Sequence, residues 1–268
     1  MTDGTGRTAL VTGASAGIGA AFAEHLAARG YGLVLTARRA DRLEAVAAGL
    51  RTRFGVTVRV QPADLADPQA PRQLCDALAG SGVDIDVLVN NAGYGVAGRY
   101  LANDWRVHRD FLQVLVTAVA ELTHRLLPGM VARRWGRVIN VSSLAALVPA
   151  APGHTLYGAS KSFLVKFSES LHGEGRAEGV HVTAVCPGFT LSEFHDVTGT
   201  RAQVSRMPAW MWLDAAEVAA DGYDAVMAGR AVSVTGRVNR AIATAAKHLP
   251  SVVVDAAVRR SSGAYRKV

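Results

Sequence analysis

The chain has 268 residues, 50% of them hydrophobic and 19% charged, with a formal net charge of +7. It holds no low-complexity tract and no repeat of fixed period, which excludes disordered, collagenous and solenoid architectures and leaves room for one α/β domain over residues 1–268. Its two cysteines, Cys75 and Cys186, lack metal-type spacing, and no apolar run reaches the roughly eighteen residues of a membrane helix, so a cytoplasmic protein without a disulfide framework is expected.

Apolar runs and amphipathic stretches alternate from the start. The run Thr8–Thr12 leads into Thr12-Gly13-Ala14-Ser15-Ala16-Gly17-Ile18-Gly19 and a helical pattern over Ile18–Arg29. Glycines here permit a sharp turn, a close approach of backbone to a pyrophosphate and tight packing of helix on strand, while the helix start offers unpaired N–H groups. Gly13, Ser15, Gly17, Ile18 and Gly19 are therefore expected at the phosphates of a dinucleotide. The second run, Gly32–Thr36, ends at Ala37-Arg38-Arg39, the place where a carboxylate would hold the ribose 2′-hydroxyl of NAD(H). Guanidinium groups suit a 2′-phosphate instead, so NADP(H) is preferred over NAD(H), with Arg38 the first choice and Arg39 either a second cofactor-binding residue or a solvated neighbour.

A helix over Ala40–Phe54, a run Thr57–Gln61, a helix over Pro68–Ala79 and a run Val87–Asn90 follow. A long helical pattern, Asp104–Ala132, precedes the run Arg137–Val141, which delivers Ser142 and Ser143 at its end. Strand alternation sends the two hydroxyls to opposite sides; Ser143 is the first choice to donate to a substrate carbonyl oxygen, with Ser142 the alternative. The next helix, Leu156–Arg176, opens with Tyr157-Gly158-Ala159-Ser160-Lys161. A spacing of four puts phenol and ammonium on one helix face, and nearby positive charge lowers a phenol from its usual value of about 10. Tyr157 is thus expected to exchange a proton at neutral pH.

After the run Val180–Val185 comes Pro187–Leu213, the longest stretch without periodicity, with Met207, Pro208, Trp210, Met211 and Trp212. It fits either a substrate lid, residues 187–213, or a patch packed on the core or a partner subunit. Tyr94, Leu144, Leu147, Val148, Trp210 and Trp212 are candidate pocket walls, favouring a hydrophobic ketone, aldehyde or ketoacyl compound. A helix over Ala215–Ala228 and a run Ala231–Val234 complete the alternation. Strand runs without polar alternation are buried on both faces, so the order implies a doubly wound parallel sheet of about seven strands with helices on both faces, a Rossmann-type α/β fold. From Gly229 onward eight basic residues stand against one acidic, and the rest of the chain balances at 21 of each. The basic segment 237–268 reads as a solvated face, since no nucleic-acid motif accompanies it, with contact to a membrane surface the lesser reading. His108, His124, His154, His172, His181, His195 and His248 show no metal-ligand spacing, and no metal is expected.

Taken together these motifs resemble the compact, single-domain type of the short-chain dehydrogenase/reductase family over nearly the whole chain. The matching pieces are Thr12 through Gly19, Asp64-Leu65, Asn90-Asn91-Ala92-Gly93, Ser143, Tyr157 through Lys161, and Pro187-Gly188. The resemblance implies that Ser143, Tyr157 and Lys161 are catalytic, and that Lys161, with Tyr157 beside it, also holds the nicotinamide ribose. It further implies that Asp64 and Leu65 sit at the adenine, that Asn90, Ala92 and Gly93 line the adenosine ribose side, and that Pro187, Gly188, Thr190 and Ser192 flank the nicotinamide. A homodimer or homotetramer is implied as well.

One position departs from the family. An asparagine is expected thirteen residues before the proline that closes the long helix, and counting back from Pro128 gives Leu115. Leucine cannot hold the water with which that asparagine relays protons. Two readings follow: an NADP(H)-dependent oxidoreductase acting at a carbonyl or alcohol carbon, or an NADP(H)-binding protein with weak or no catalysis.

Overall fold

Thr8–Thr12 forms β1, and its last four residues are buried, as expected of a strand covered on both faces. The computed structural model describes residues 3–96, 98–150, 152–153, 155–191, 208–249 and 254. In it β1 lies between β2 (Gly32–Thr36) and β4 (Val87–Asn90), with Val11 opposite both Leu35 and Val89. The other strands are β3 (Val58–Val60), β5 (Gly136–Val141), β6 (Val180–Cys186) and β7 (Val232–Val234). All pairings are parallel, in the order β3-β2-β1-β4-β5-β6-β7. The chain reverses direction across the sheet between β1 and β4, and ligands of such sheets bind where the carboxyl ends diverge at that point.

Helices α1 (Gly17–Ala27), α2 (Ala40–Phe54) and α7 (Ala215–Met227) cover one face. There Phe22, Leu26, Leu43 and Val226 are fully shielded against β1, β2 and β5, each such side chain contributing about 1.5–3 kcal/mol by leaving water. The other face carries α3 (Ala70–Gly80), α4 (Trp105–Leu112), α5 (Ala118–Ala132) and α6 (Thr155–Gly175). A further helix, α8 (Arg237–His248), lies where only a basic segment was expected.

The expected single helix over Asp104–Ala132 contains a π-turn at Gln113–Thr117, where the Ala118 N–H donates to the Gln113 carbonyl five residues back. The stretch Trp105–Ala132 meets the length and mean hydropathy of a membrane helix, which the count of uninterrupted apolar residues did not register. Phe111, Leu115, Ala118, Leu122 and Met130 nonetheless pack in one buried cluster with Leu10 and Leu88 of the sheet, so this is a core helix of the fold. Ser192, Met207, His154 and His195 lie outside the described residues, as do 192–207 of the expected lid and most of the segment after Leu249.

Candidate active site

The turn after β1 is built by contacts that require glycine. Gly13 sits at φ +67°, and a Cβ there would meet the Asn91 amide at 2.7 Å. A Cβ on Gly19 would collide with the Gly13 carbonyl oxygen, so the start of α1 closes down on the turn. The Thr12 hydroxyl accepts from the backbone N–H groups of Asn91 and Ala92, at 2.9 and 3.0 Å. The Asn91 side chain returns a bond to the Thr12 carbonyl at 2.9 Å. These bonds lock the ends of β1 and β4 together and bring Ala92 and Gly93 beside the glycine turn.

Arg38 and Arg39 are both exposed at the end of β2. The Arg39 guanidinium donates to the Ser15 hydroxyl of the turn at 3.3 Å. Arg38 lies within electrostatic reach of Tyr94, as does Asp64. The loops after β2 and β3 are tied by the Ala63 N–H, which donates to the Ala37 carbonyl, and Leu65 is buried behind them. Asn90 turns inward: its amide donates to Asn140 at 2.9 Å and to Thr123 at 3.2 Å, so this side chain serves the core beneath the site.

The two serines have different partners. Ser142 is buried and donates to the Lys161 carbonyl at 2.8 Å, which fixes α6 on β5. Ser143 accepts from the Ala145 N–H at 3.1 Å and is hydrogen-bonded to Tyr157. Lys161 is 6% exposed, and its ammonium donates to the Val141 carbonyl at 2.8 Å, leaving two of three N–H donors for other partners. Ser143, Tyr157 and Lys161 thus converge at the carboxyl end of β5.

Their electrostatics differ from the expectation for the tyrosine. Burial pushes the Tyr157 phenol up from its ordinary value, and only the Ser143 hydrogen bond draws it back. Burial pushes Lys161 down to about 8, against a smaller opposing influence from Cys186. Both groups are held toward their neutral forms by desolvation, and the Lys161 ammonium is committed to Val141, 5.7 Å from the centre of the Tyr157 ring.

The loop after β6 forms the far wall. The Pro187 carbonyl accepts from the Leu144 N–H at 2.8 Å, and the Thr190 hydroxyl donates to the Gly188 carbonyl. Gly188 has no room for a side chain, because a Cβ would meet the Asn239 amide of α8 at 2.6 Å. Leu191 and Phe189 bond to Leu213, which staples together the two ends of the 187–213 segment.

The crevice that opens beside Tyr157 is lined by Val96, Tyr100, His108, Phe111, Thr155 and Leu156, among others. Its walls come from the loop after β4, from α4 and from the start of α6. None of the six pocket candidates, Val148 included, lines this crevice. Tyr94 packs edge-on against Phe111 from behind, Leu147 packs with Val165 and Ala184, Trp212 lies against Phe189, Trp210 is 66% exposed, and Leu144 begins a 3-10 turn beneath Pro187. The stretch between Gly93 and Asp104 carries no periodicity, and its only signal was its place directly after Asn90-Asn91-Ala92-Gly93.

A family model described as short chain dehydrogenase matches residues 7–202. The chain belongs to the short-chain dehydrogenase/reductase family. Among curated relatives of this dehydrogenase, serine 3-dehydrogenase of Rhizobium radiobacter is 38% identical over 192 residues, covering 70% of this chain and 73% of that one. A short-chain dehydrogenase from Sphingobium yanoikuyae in complex with NADPH superposes with a TM-score of 0.79 at 29% identity, covering 96% of this chain and 94% of that chain. A family member from Burkholderia phymatum in complex with NAD gives a TM-score of 0.80 at 26% identity, covering 91% and 94%. The chain is therefore an oxidoreductase of the family acting on alcohol or ketone groups, with a nicotinamide cofactor.

Proposed function

We propose that the chain is an NADP(H)-dependent dehydrogenase/reductase in which Ser143, Tyr157 and Lys161 carry the proton chemistry. The convergence of these three side chains at the end of β5, on a sheet whose first turn is a phosphate cradle, is the observation that carries the reading. When bound, the cofactor supplies or accepts a hydride at its nicotinamide. Ser143 donates to the substrate oxygen, and Tyr157 delivers the proton to it or removes it. The two unused ammonium protons of Lys161 serve the nicotinamide ribose.

The glycine turn, with Gly13, Ser15, Gly17, Ile18 and Gly19, holds the pyrophosphate. Arg38 and Arg39 hold a 2′-phosphate: Arg39 is already braced on Ser15 at 3.3 Å, and the second strand ends without a carboxylate. Asp64 and Leu65 border the adenine, Ala92 and Gly93 the ribose, and Pro187, Gly188 and Thr190 the nicotinamide. The crevice walls of Val96, Phe111 and Leu156 favour a substrate with an apolar body. A cytoplasmic location fits two free, buried thiols, Cys75 and Cys186, and exposed Leu101, Trp105 and Phe163 fit a homo-oligomer.

NADPH oxidation against ketones, aldehydes and β-ketoacyl thioesters, with Tyr157→Phe alongside, tests the proposal. Turnover that disappears with the one phenolic oxygen supports it; turnover that survives places the proton chemistry elsewhere. A second reading rests on Leu115, whose side chain is 1% exposed and lies against Gly93 where the family's asparagine would stand. Tight NADPH binding without turnover on any carbonyl would favour that binding-protein reading.

A further inference from the structure

The crevice beside Tyr157 has a polar wall residue that neither the family resemblance nor the proton chemistry uses. His108 projects from α4 and is 5% exposed. Its Nε2 lies 2.8 Å from the Tyr100 carbonyl oxygen. A carbonyl only accepts, so Nε2 carries the hydrogen and donates it. In the neutral ring Nδ1 is then a bare lone pair, an acceptor, and it is buried with no partner. The Tyr100 ring stacks on the imidazole at 4.6 Å and 12°, and Trp105 flanks it at 6.5 Å, so the ring is held in place. A buried acceptor left unpaired is costly, and native folds rarely carry one without a use.

His108 shares this wall with Thr155 and Tyr157, and the free volume of the crevice is about 20 Å³. That is room for one small polar group at the His108 wall. We infer that His108 is a specificity-determining residue whose Nδ1 accepts a hydrogen bond from a hydroxyl or N–H group of the substrate, so that carbonyl compounds bearing a second, donor group are preferred over plain ketones. The inference rests on the reading of this crevice as the place where the carbonyl meets Tyr157. It gives that apolar-bodied substrate one polar handle.

Two substitutions separate this role from a structural one. His108→Gln can keep a donor to the Tyr100 carbonyl at the Nε2 position while presenting no acceptor at the Nδ1 position; His108→Asn can keep an acceptor near Nδ1 while its amide falls short of the Tyr100 carbonyl. Ketone pairs that differ only by a hydroxyl on the α, β or γ carbon are compared by kcat/KM with NADPH. Wild type is expected to favour the hydroxylated member of at least one pair by about tenfold or more, since a site built to bond a hydroxyl rejects the analogue lacking it. His108→Gln loses that preference mostly in KM, and His108→Asn retains it. No preference at any position in wild type, or a preference that survives in His108→Gln, overturns the inference.

Calorimetric binding of 1,2-octanediol and 2-octanol to the protein loaded with NADP+ gives a readout that needs no turnover. Tighter diol binding in wild type and in His108→Asn, but not in His108→Gln, supports the acceptor even where the catalytic reading fails. Equal binding of the two alcohols to wild type counts against it.

Discussion

Lys161 is a charge held where charge is unwelcome, and its consequences are measurable. Folding brings its ammonium down to about 8 from 10.5, so between those values the unfolded chain binds the proton that the folded chain has released. The penalty, about 3 kcal/mol by linkage, is present in full below pH 8 and fades as pH rises to 10.5. In Lys161→Met the penalty is absent. The melting temperature of the variant relative to wild type is therefore expected to fall steadily across that window, and a constant difference would mean that Lys161 is not desolvated as described. Ser143→Ala removes the hydroxyl at Tyr157 and is expected to lower kcat by roughly 100- to 1,000-fold with NADPH affinity kept. Replacing Arg38 and Arg39 together by serine is expected to weaken NADPH at least tenfold while leaving NADH nearly unchanged, as read by fluorescence titration; a parallel loss for both cofactors would remove these residues from the 2′-phosphate.

Among the elements, the strands were legible because a sheet covered on both faces needs unbroken apolar runs; β1, β2 and β4 coincide with the runs read from the sequence. The four-residue spacing of Tyr157 and Lys161 and the glycines after β1 were equally readable, since each reports a local requirement of helix or turn. The π-turn at Gln113–Thr117 was not, because one residue added to a helical turn leaves its apolar spacing nearly intact. Helix α8 was missed for another reason: Val238, Ala241, Ile242 and Ala245 do recur at helical spacing, but they stay exposed and Asn239 is its only buried residue, so the stretch read as a basic charge run. The crevice wall around Tyr100 and His108 joins the loop after β4 to α4 through the Tyr100–His108 contact, which no periodicity reports. At the π-turn, Leu115→Asn places an amide among Gly93, Phe111 and Leu122. It is expected to cost about 2–4 kcal/mol of stability and to raise kcat if proton relay limits turnover. Thermal melting and steady-state kinetics on the same variant check both, and an unchanged kcat would locate the relay at another group.

For the molecule as a whole, cofactor binding and folding are one equilibrium. Free NADPH at 100 times its Kd adds about 2.7 kcal/mol to the folded state, which for a chain of this length raises Tm by roughly 5–10 °C. NADH at the same concentration is expected to raise it less, and equal shifts would argue against the cofactor preference. The bonds from Thr12 to Asn91 and Ala92, and the seat of Gly188 against Asn239, also join stretches that lie far apart along the chain. The glycine turn, the group of Ser143, Tyr157 and Lys161, and the helix behind Gly188 each belong to a different stretch, and only the folded sheet brings them together. A single proteolytic nick in any one of them is therefore expected to disable a site whose other pieces are chemically intact.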